Sequence, residues 1–229
     1  MDTPCLLICP GFHRVELTQH LVQGLKTLPT LSDLSLLIYP AETIPGAALS
    51  GYGIRQFLLT QLGWTTADIS RVPPQPVFFL AFSAGCVGAI ATAHHWHSIG
   101  GTVGAFFAVD GWGVPLVAPF PVHRLSHDRF THDTSILLGS DHIDFYADPA
   151  VSHLELWSQF SQVQGQQVPG CKVEGREQAS PLHRSRFSVP GAVTQEPTLF
   201  SQSVSLTAGQ FLQTQVEKVL DSFSQNDCF

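Results

Sequence analysis

The stretch from Pro76 to Ala93, PVFFLAFSAGCVGAIATA, decides the fold class of this 229-residue chain. Its first part is aromatic and typical of a buried β-strand, whereas its second part is rich in alanine and glycine and favours a helix. Ser83 and Gly85 interrupt the run where its character changes. Although the stretch is about long enough to span a membrane, this interruption predicts a strand, a tight turn and a helix instead.

The same alternation of buried strand and amphipathic helix continues on both sides of this stretch. The apolar runs predict strands at Leu6 to Cys9, Leu34 to Tyr39, Val77 to Phe82 and Thr102 to Val109, with two short ones at Ser135 to Leu138 and Asp144 to Ala147. This pattern is typical of an α/β fold, here a mainly parallel sheet of about six strands flanked by helices.

We predict a single domain over residues 1–229, since the length suits one domain with a sizeable core. Residues 123–133 are rich in histidine and are predicted to form a loop. An irregular polar excursion is expected at about 164–203, where Gly, Pro, Ser and Gln are frequent. A helix at about 206–223 is expected to follow it, because its apolar residues recur at helical spacing.

Charge is scarce in this chain, and its distribution excludes several classes of protein. Charged residues make up 13% of the chain, with 11 Lys and Arg against 18 Asp and Glu, so the net charge is −7. No basic cluster is present that could bind nucleic acid. An apolar content of 44% excludes a disordered chain.

The five cysteines lack the spacing of a zinc site and are expected to be mostly reduced. The basic region of a signal peptide is missing from Met1 to Pro4. Both observations favour a cytoplasmic protein. No transmembrane span is expected, although apolar loops such as Val114 to Val122 could rest on a membrane surface. The oligomeric state stays open.

The sharpest local signal is Ala81-Phe82-Ser83-Ala84-Gly85, at the junction of predicted strand and helix. Small residues on both sides of Ser83 allow a sharp turn that lifts the serine above the sheet edge. The free N–H groups of the helix N-terminus would then point at it, which suits a nucleophile whose intermediate is an oxyanion. An ordinary tight turn that happens to contain a serine is the alternative.

Here the chain resembles the α/β-hydrolase superfamily, with Ala81 in place of the usual first glycine of its nucleophile elbow. The resemblance implies an oxyanion loop after the first strand, which would be Pro10-Gly11-Phe12-His13. The backbone N–H groups of Phe12 and Ala84 would form the oxyanion hole. Pro10 departs from the family's frequent His-Gly, and the family's first strands are expected to be missing.

The resemblance also implies a late histidine that would serve as the general base. His153 fits by its order in the chain and by its place before a predicted helix. Its rivals are His123, His127, His132 and His142.

The acid that would orient this histidine has two main candidates, Asp110 and Asp141, with Asp148 a weaker third. Asp110 has an argument of its own, because it is the sole Lys, Arg, Asp or Glu between Arg71 and Arg124. A lone carboxylate in so apolar a stretch is costly to bury without a partner. A histidine would supply that partner.

No cofactor and no metal are expected. Histidines near residues 94–97 and 123–132 invite a zinc interpretation, but no tight ligand motif is present. Trp112, Phe120 and Trp157, with Trp96 less surely, could line an acyl pocket beside Ser83.

Two hypotheses of different kinds follow from these observations. The first is a serine hydrolase that cleaves an ester or thioester of an apolar acyl group, a small-molecule substrate, through Ser83, His153 and Asp110. The second is a non-catalytic protein of the same fold that acts as an assembly or scaffold partner.

Overall fold

An eight-stranded mixed sheet forms the centre of the structure, a computed structural model that describes residues 3–63, 75–140, 143–170 and 205–226. Its strands are β1 (Cys5–Cys9), β2 (Ser35–Ile38), β3 (Val77–Phe82), β4 (Val103–Val109), β5 (Val122–Ser126), β6 (Ile143–Ala147), β7 (Gln164–Pro169) and β8 (Ser205–Thr207). Their order is β2-β1-β3-β4-β5-β6-β7-β8. The first six strands in this order pair in parallel, and β7 and β8 are antiparallel to their neighbours.

Seven α-helices connect or flank these strands among the described residues. They are α1 (Val15–Leu25), α2 (Pro29–Ser32), α3 (Gly51–Gln61), α4 (Gly85–Ser98), α5 (Arg129–Ser135), α6 (His153–Ser158) and α7 (Ala208–Asn226). The mainly parallel α/β architecture expected from the sequence is therefore confirmed.

Alternating side chains of the central strands supply two separate cores, one on each face of the sheet. In β3, Phe79 and Ala81 pack on one face, beneath α3 and α4. Phe78 and Phe82 point to the other face, where α1, α6 and α7 cover them. Because both faces are covered, the central strands are apolar throughout, and this explains the low charge of the segment around Ser83.

The junction of β3 and α4 agrees with the prediction from Pro76 to Ala93: the strand ends at Phe82 and the helix begins at Gly85. Within the described ranges, no helix combines the length and the apolar character needed to cross a membrane.

Three predictions about the second half of the chain were wrong. The sheet has eight strands rather than about six, because β7 and β8 border or occupy the segment predicted as an irregular excursion from 164. Most of that excursion, residues 171–203, lies outside the described residues. The segment 135–138, predicted as a strand, ends α5 and forms a 3₁₀ turn.

The predicted histidine-rich loop contains β5 and α5 instead. Strand β5 carries His123 and Arg124, both of which are buried. Backbone carbonyls distant in the chain are the partners of these side chains: the His123 ring bonds the carbonyl of Ile143, the first residue of β6, at 2.6 Å. Such long-range partners are not visible in a local sequence pattern.

Candidate active site

Ser83 occupies the turn between β3 and α4 in a left-handed backbone conformation, with φ of 51°. A non-glycine residue seldom adopts this conformation, and such residues cluster at functional sites. The Ser83 amide donates to the Val109 carbonyl at 2.8 Å, so the pairing of β3 with β4 continues as far as the serine. The turn is thereby fixed to the most buried part of the sheet.

The loop after β1 lies directly against this turn. A Cβ atom on Gly85 would lie 2.5 Å from the Cys9 carbonyl oxygen, and one on Gly11 would lie 2.8 Å from that of Phe82. Both positions therefore require glycine, because the close neighbour is backbone in each case. The contacts bring the Pro10-Gly11-Phe12 segment next to Ser83.

Two backbone amides near Ser83 are open, namely those of Phe12 and Ala84. Within the described part of the chain, neither N–H donates a hydrogen bond to another protein group. The Ala84 amide precedes α4, where the first N–H groups of a helix have no partner inside it. These are the two amides that the sequence predicts as oxyanion donors, and they remain available to a ligand.

Asp110 ends β4 as Ser83 ends β3, and it has a left-handed φ of 48°. Its amide donates to the Leu125 carbonyl at 2.8 Å, and its side chain is 1% exposed. The buried carboxylate accepts a hydrogen bond at Oδ2 from His153 Nδ1 at 2.8 Å. The structure thus contains the histidine partner that was expected for the isolated Asp110 carboxylate.

His153 is the first residue of α6, and the helix start is well fixed. Ser152 caps the helix through the Glu155 amide, and the Glu155 side chain reaches back to the Ser152 amide. The His153 ring stacks on Phe82 with 4.5 Å between ring centroids. Phe82 precedes Ser83, so this stacking holds the ring beside the serine.

Ser83 and His153 line the same pocket, but their side chains do not hydrogen-bond each other among the residues described. In enzymes without bound substrate, catalytic hydrogen bonds are often long and shorten only when substrate binds. The arrangement therefore places the serine beside an oriented histidine whose Nε2 has no hydrogen-bond partner among the residues that the structure describes.

A second histidine on Asp110 is the main feature that the sequence did not reveal. His127 donates its amide to Asp110 Oδ1 at 2.9 Å, and its Nδ1 lies 3.0 Å from Asp110 Oδ2. Its Nε2 lies 3.4 Å from Asp128 Oδ2. From the sequence, His127 was predicted only as a rival of His153. No local sequence signal distinguishes His127, because the strand β5 before it has the composition of a loop and its partner Asp110 is distant in the chain.

The pocket has a volume of about 470 Å³ and is mostly apolar. Besides the groups already described, its lining includes Leu49, Val87, Trp112, Val114, Phe130 and Thr131. Trp112 and Phe130 stand at its mouth and are 67% and 74% exposed. A ligand that fills this space would bury apolar surface on several sides.

The Arg124 side chain stabilises the loop whose residues Trp112 and Val114 line the pocket. Its guanidinium donates to the carbonyls of Val114 at 2.8 Å, Gly139 at 2.7 Å and Gly111 at 3.3 Å. Burial lowers the pKa of Arg124, and the nearby Asp144 carboxylate acts in the opposite direction. The buried cation thus ties the loop with Trp112 to the sheet.

The other aromatic residues predicted for the pocket lie elsewhere. Trp157 is buried in the core on the α6 face, Trp96 in the core on the α4 face, and Phe120 packs beneath α4 as well. Of the predicted set, Trp112 alone lines the described pocket.

The rival site residues are placed as follows. Asp141 and His142 lie outside the described residues. Asp148 accepts from Gln166 at 3.3 Å, and the His132 ring packs against Tyr146. Neither residue is among those that line the pocket.

The buried thiols among the described residues are poor candidates for a nucleophile. Burial raises the pKa of Cys5 to about 12, and it raises the pKa of Cys9 and Cys86 still further. Cys86 lies in the first turn of α4, and its thiol contacts the Ala81 carbonyl. Because the reactive form of cysteine is the thiolate, these groups are inert at neutral pH.

Asp110, His127 and His153 are also of the types that bind zinc, and one ligand atom from each lies within 4.8 Å of the others. However, Asp110 Oδ2 is at hydrogen-bond distance from both Nδ1 atoms, so protons can hold the three groups together. The absence of a metal stays a prediction.

No protein-family model matches this chain, and a search of curated proteins found no match either.

Proposed function

We propose that this protein is a serine hydrolase of the α/β-hydrolase kind, which cleaves an ester or thioester of an apolar acyl group. One observation carries the proposal: Ser83, in a left-handed strand-helix turn, shares a pocket with His153, whose Nδ1 is bonded to the buried Asp110. The run of six parallel strands with the serine after the third supports the resemblance to that superfamily.

In the proposed reaction, His153 Nε2 removes the proton from the Ser83 hydroxyl as Oγ attacks the carbonyl carbon. The carbonyl oxygen becomes an oxyanion, which the open amides of Phe12 and Ala84 stabilise. His153 then gives its proton to the leaving alcohol or thiol as the acyl–oxygen or acyl–sulfur bond breaks.

Water completes the cycle. His153 takes a proton from the water molecule that attacks the acyl group on Ser83, and it returns this proton to Oγ when the carboxylic acid leaves. Throughout both steps, Asp110 keeps the Nδ1–H of His153 directed at its carboxylate, so Nε2 faces the serine as a base.

The pocket lining supports an apolar acyl group. Apart from the proposed catalytic groups, His127 and Thr131, the side chains that line the pocket are apolar. No lysine or arginine is among them, and this favours an uncharged acyl group over one that carries a carboxylate or phosphate.

A fluorophosphonate probe tests the proposal, because it phosphonylates activated serines. We expect labelling of the wild-type protein and its loss in Ser83→Ala. Ser98→Ala is the matched control, since Ser98 ends the same helix α4 and bonds the His95 carbonyl outside the pocket. With p-nitrophenyl esters of increasing acyl length, kcat/KM is expected to rise from acetate to longer chains.

A wild-type protein that is folded but not labelled would reject catalysis. That result would favour the second hypothesis, a non-catalytic protein that binds partners. The exposed apolar side chains around the pocket, such as Trp112 and Phe130, would then be the surface to examine first.

A further inference from the structure

His127 is held between two carboxylates, and the catalytic scheme above gives it no role. Its Nδ1 lies 3.0 Å from Asp110 Oδ2 and its Nε2 lies 3.4 Å from Asp128 Oδ2. Two carboxylates on opposite sides of one ring stabilise its charged, doubly protonated form. His153 differs, because one of its ring nitrogens faces a carboxylate and the other is left for the serine.

Asp128 has a fixed place at the start of α5. Its Oδ1 accepts a hydrogen bond from the Thr131 amide at 2.6 Å and caps the helix. Burial tends to raise the pKa of Asp128, but the amide and hydroxyl of Thr131 and the charge of His127 outweigh it, so the pKa lies below its usual value. The remaining oxygen, Oδ2, is therefore a lasting negative partner for His127.

The Asp110 carboxylate needs a partner charge that does not depend on His153. Its side chain is 1% exposed, and an uncompensated buried charge costs several kcal/mol. His153 must be neutral before it can act as a base, and in that state it offers Asp110 no positive charge. His127 is placed to fill this gap, because it bonds both Asp110 oxygens through its amide and its ring.

We propose that His127 is a positioning residue that keeps Asp110 in place and compensates its charge, while His153 gains and loses the catalytic proton. This inference rests on the proposed function. Two carboxylates and two histidines thus form a chain, in the order Asp128, His127, Asp110 and His153. Only the last histidine would contact the reacting atoms.

Asp128→Asn tests this role with little disturbance of the fold. Asparagine also caps helices well, so its oxygen can still accept from the Thr131 amide. The neutral amide leaves His127 without its second carboxylate. The His127 ring can then be neutral and donate one hydrogen bond, to Asp110. Asp133→Asn is the matched control, because it removes the same charge from the same helix at an exposed position paired with Arg129.

The expected result for Asp128→Asn is a fall in kcat of about tenfold with KM unchanged, since charge-assisted hydrogen bonds are roughly twice as strong as neutral ones. Asp133→Asn should match the wild type in both values, and both variants should keep its melting temperature to within about 3 °C. A purely structural role would instead lower the melting temperature and leave kcat per folded molecule unchanged.

Nitrogen NMR of the histidine rings gives a readout that does not depend on activity. The His127 ring should show two bound protons in the wild type and one in Asp128→Asn. A single proton in the wild type, or equal kcat in the two variants, would overturn the positioning role and leave the hydrolase proposal intact. If the fluorophosphonate does not label the wild type, the hydrolase proposal itself fails, and the positioning role fails with it.

Discussion

Replacing Asp110 by asparagine changes the proposed site with almost no change of shape. The two side chains have the same size, and both residue types tolerate the left-handed backbone found at this position. In the native site, Oδ1 accepts from the His127 amide and Oδ2 accepts from both Nδ1 atoms. Asparagine keeps one oxygen and puts an NH₂ group in place of the other.

The loss of activity should be large, because this NH₂ group would face two N–H donors. If the asparagine oxygen keeps the His127 amide at 2.9 Å, the amino group stands 2.8 Å from His153 Nδ1. His153 then has to present a bare Nδ1 and carry its proton on Nε2, where it can no longer accept the proton of Ser83. Wrong tautomers of this kind cost about 10⁴-fold in kcat, or about 5.4 kcal/mol of transition-state stabilisation.

The assay is hydrolysis of a p-nitrophenyl ester together with the rate of fluorophosphonate labelling, on protein whose fold is checked by circular dichroism. Asp141→Asn serves as the comparison, since the sequence left Asp141 as the alternative acid. We expect full activity in Asp141→Asn and about 10⁻⁴ of it in Asp110→Asn. A folded Asp110→Asn protein within about tenfold of wild-type kcat would refute the role of Asp110.

Three further predictions concern stability and metal ions. Arg124→Met leaves three loop carbonyls without their donor, so the free energy of unfolding in urea should fall by about 3 kcal/mol or more; a loss below about 1 kcal/mol would contradict this role. Burial lowers the pKa of His132 in the folded protein. As the pH falls below about 6.5, the unfolded chain therefore binds a proton at this histidine before the folded protein does, and the free energy of unfolding decreases. His132→Phe should therefore flatten the loss of stability between pH 6.5 and 5, by at most about 1.4 kcal/mol per pH unit, and an unchanged slope would count against it. Treatment with EDTA should leave the labelling rate of Ser83 unchanged, whereas a loss that Zn²⁺ restores would show that the histidine cluster works through a metal ion.

The sequence was most informative where local pattern and long-range environment agree. Strand β3 is apolar on both faces, and small residues surround Ser83, so the strand, the turn and the helix start could be placed within a residue or two. The contact of Asp110 with His153 was also foreseeable, because a single carboxylate in an apolar stretch needs a partner. The low charge of the segment around Asp110 was therefore the observation that identified it.

Elsewhere the deciding contacts join residues that are far apart in the chain. Strand β5 looked like a polar loop because His123 and Arg124 are polar, yet backbone carbonyls of Ile143 and Gly139 bond their side chains in the interior. His127 could not be distinguished from other histidines, since its role depends on an oxygen 17 residues earlier. Strands β7 and β8 were missed because their glutamine, glycine and serine residues resemble a loop. Their structure depends on the pairing of β7 with β6 and of β8 with β7.

The antiparallel direction of β7 has a consequence for how this chain can change during evolution. Pro169 pairs with Ile143, which begins β6, whereas Ala147 ends β6 near the site. The chain thus leaves the described structure after β7 at the sheet end opposite Ser83. Residues at this end of the sheet, such as Pro169 and Ile143, can therefore vary with little effect on the groups around Ser83.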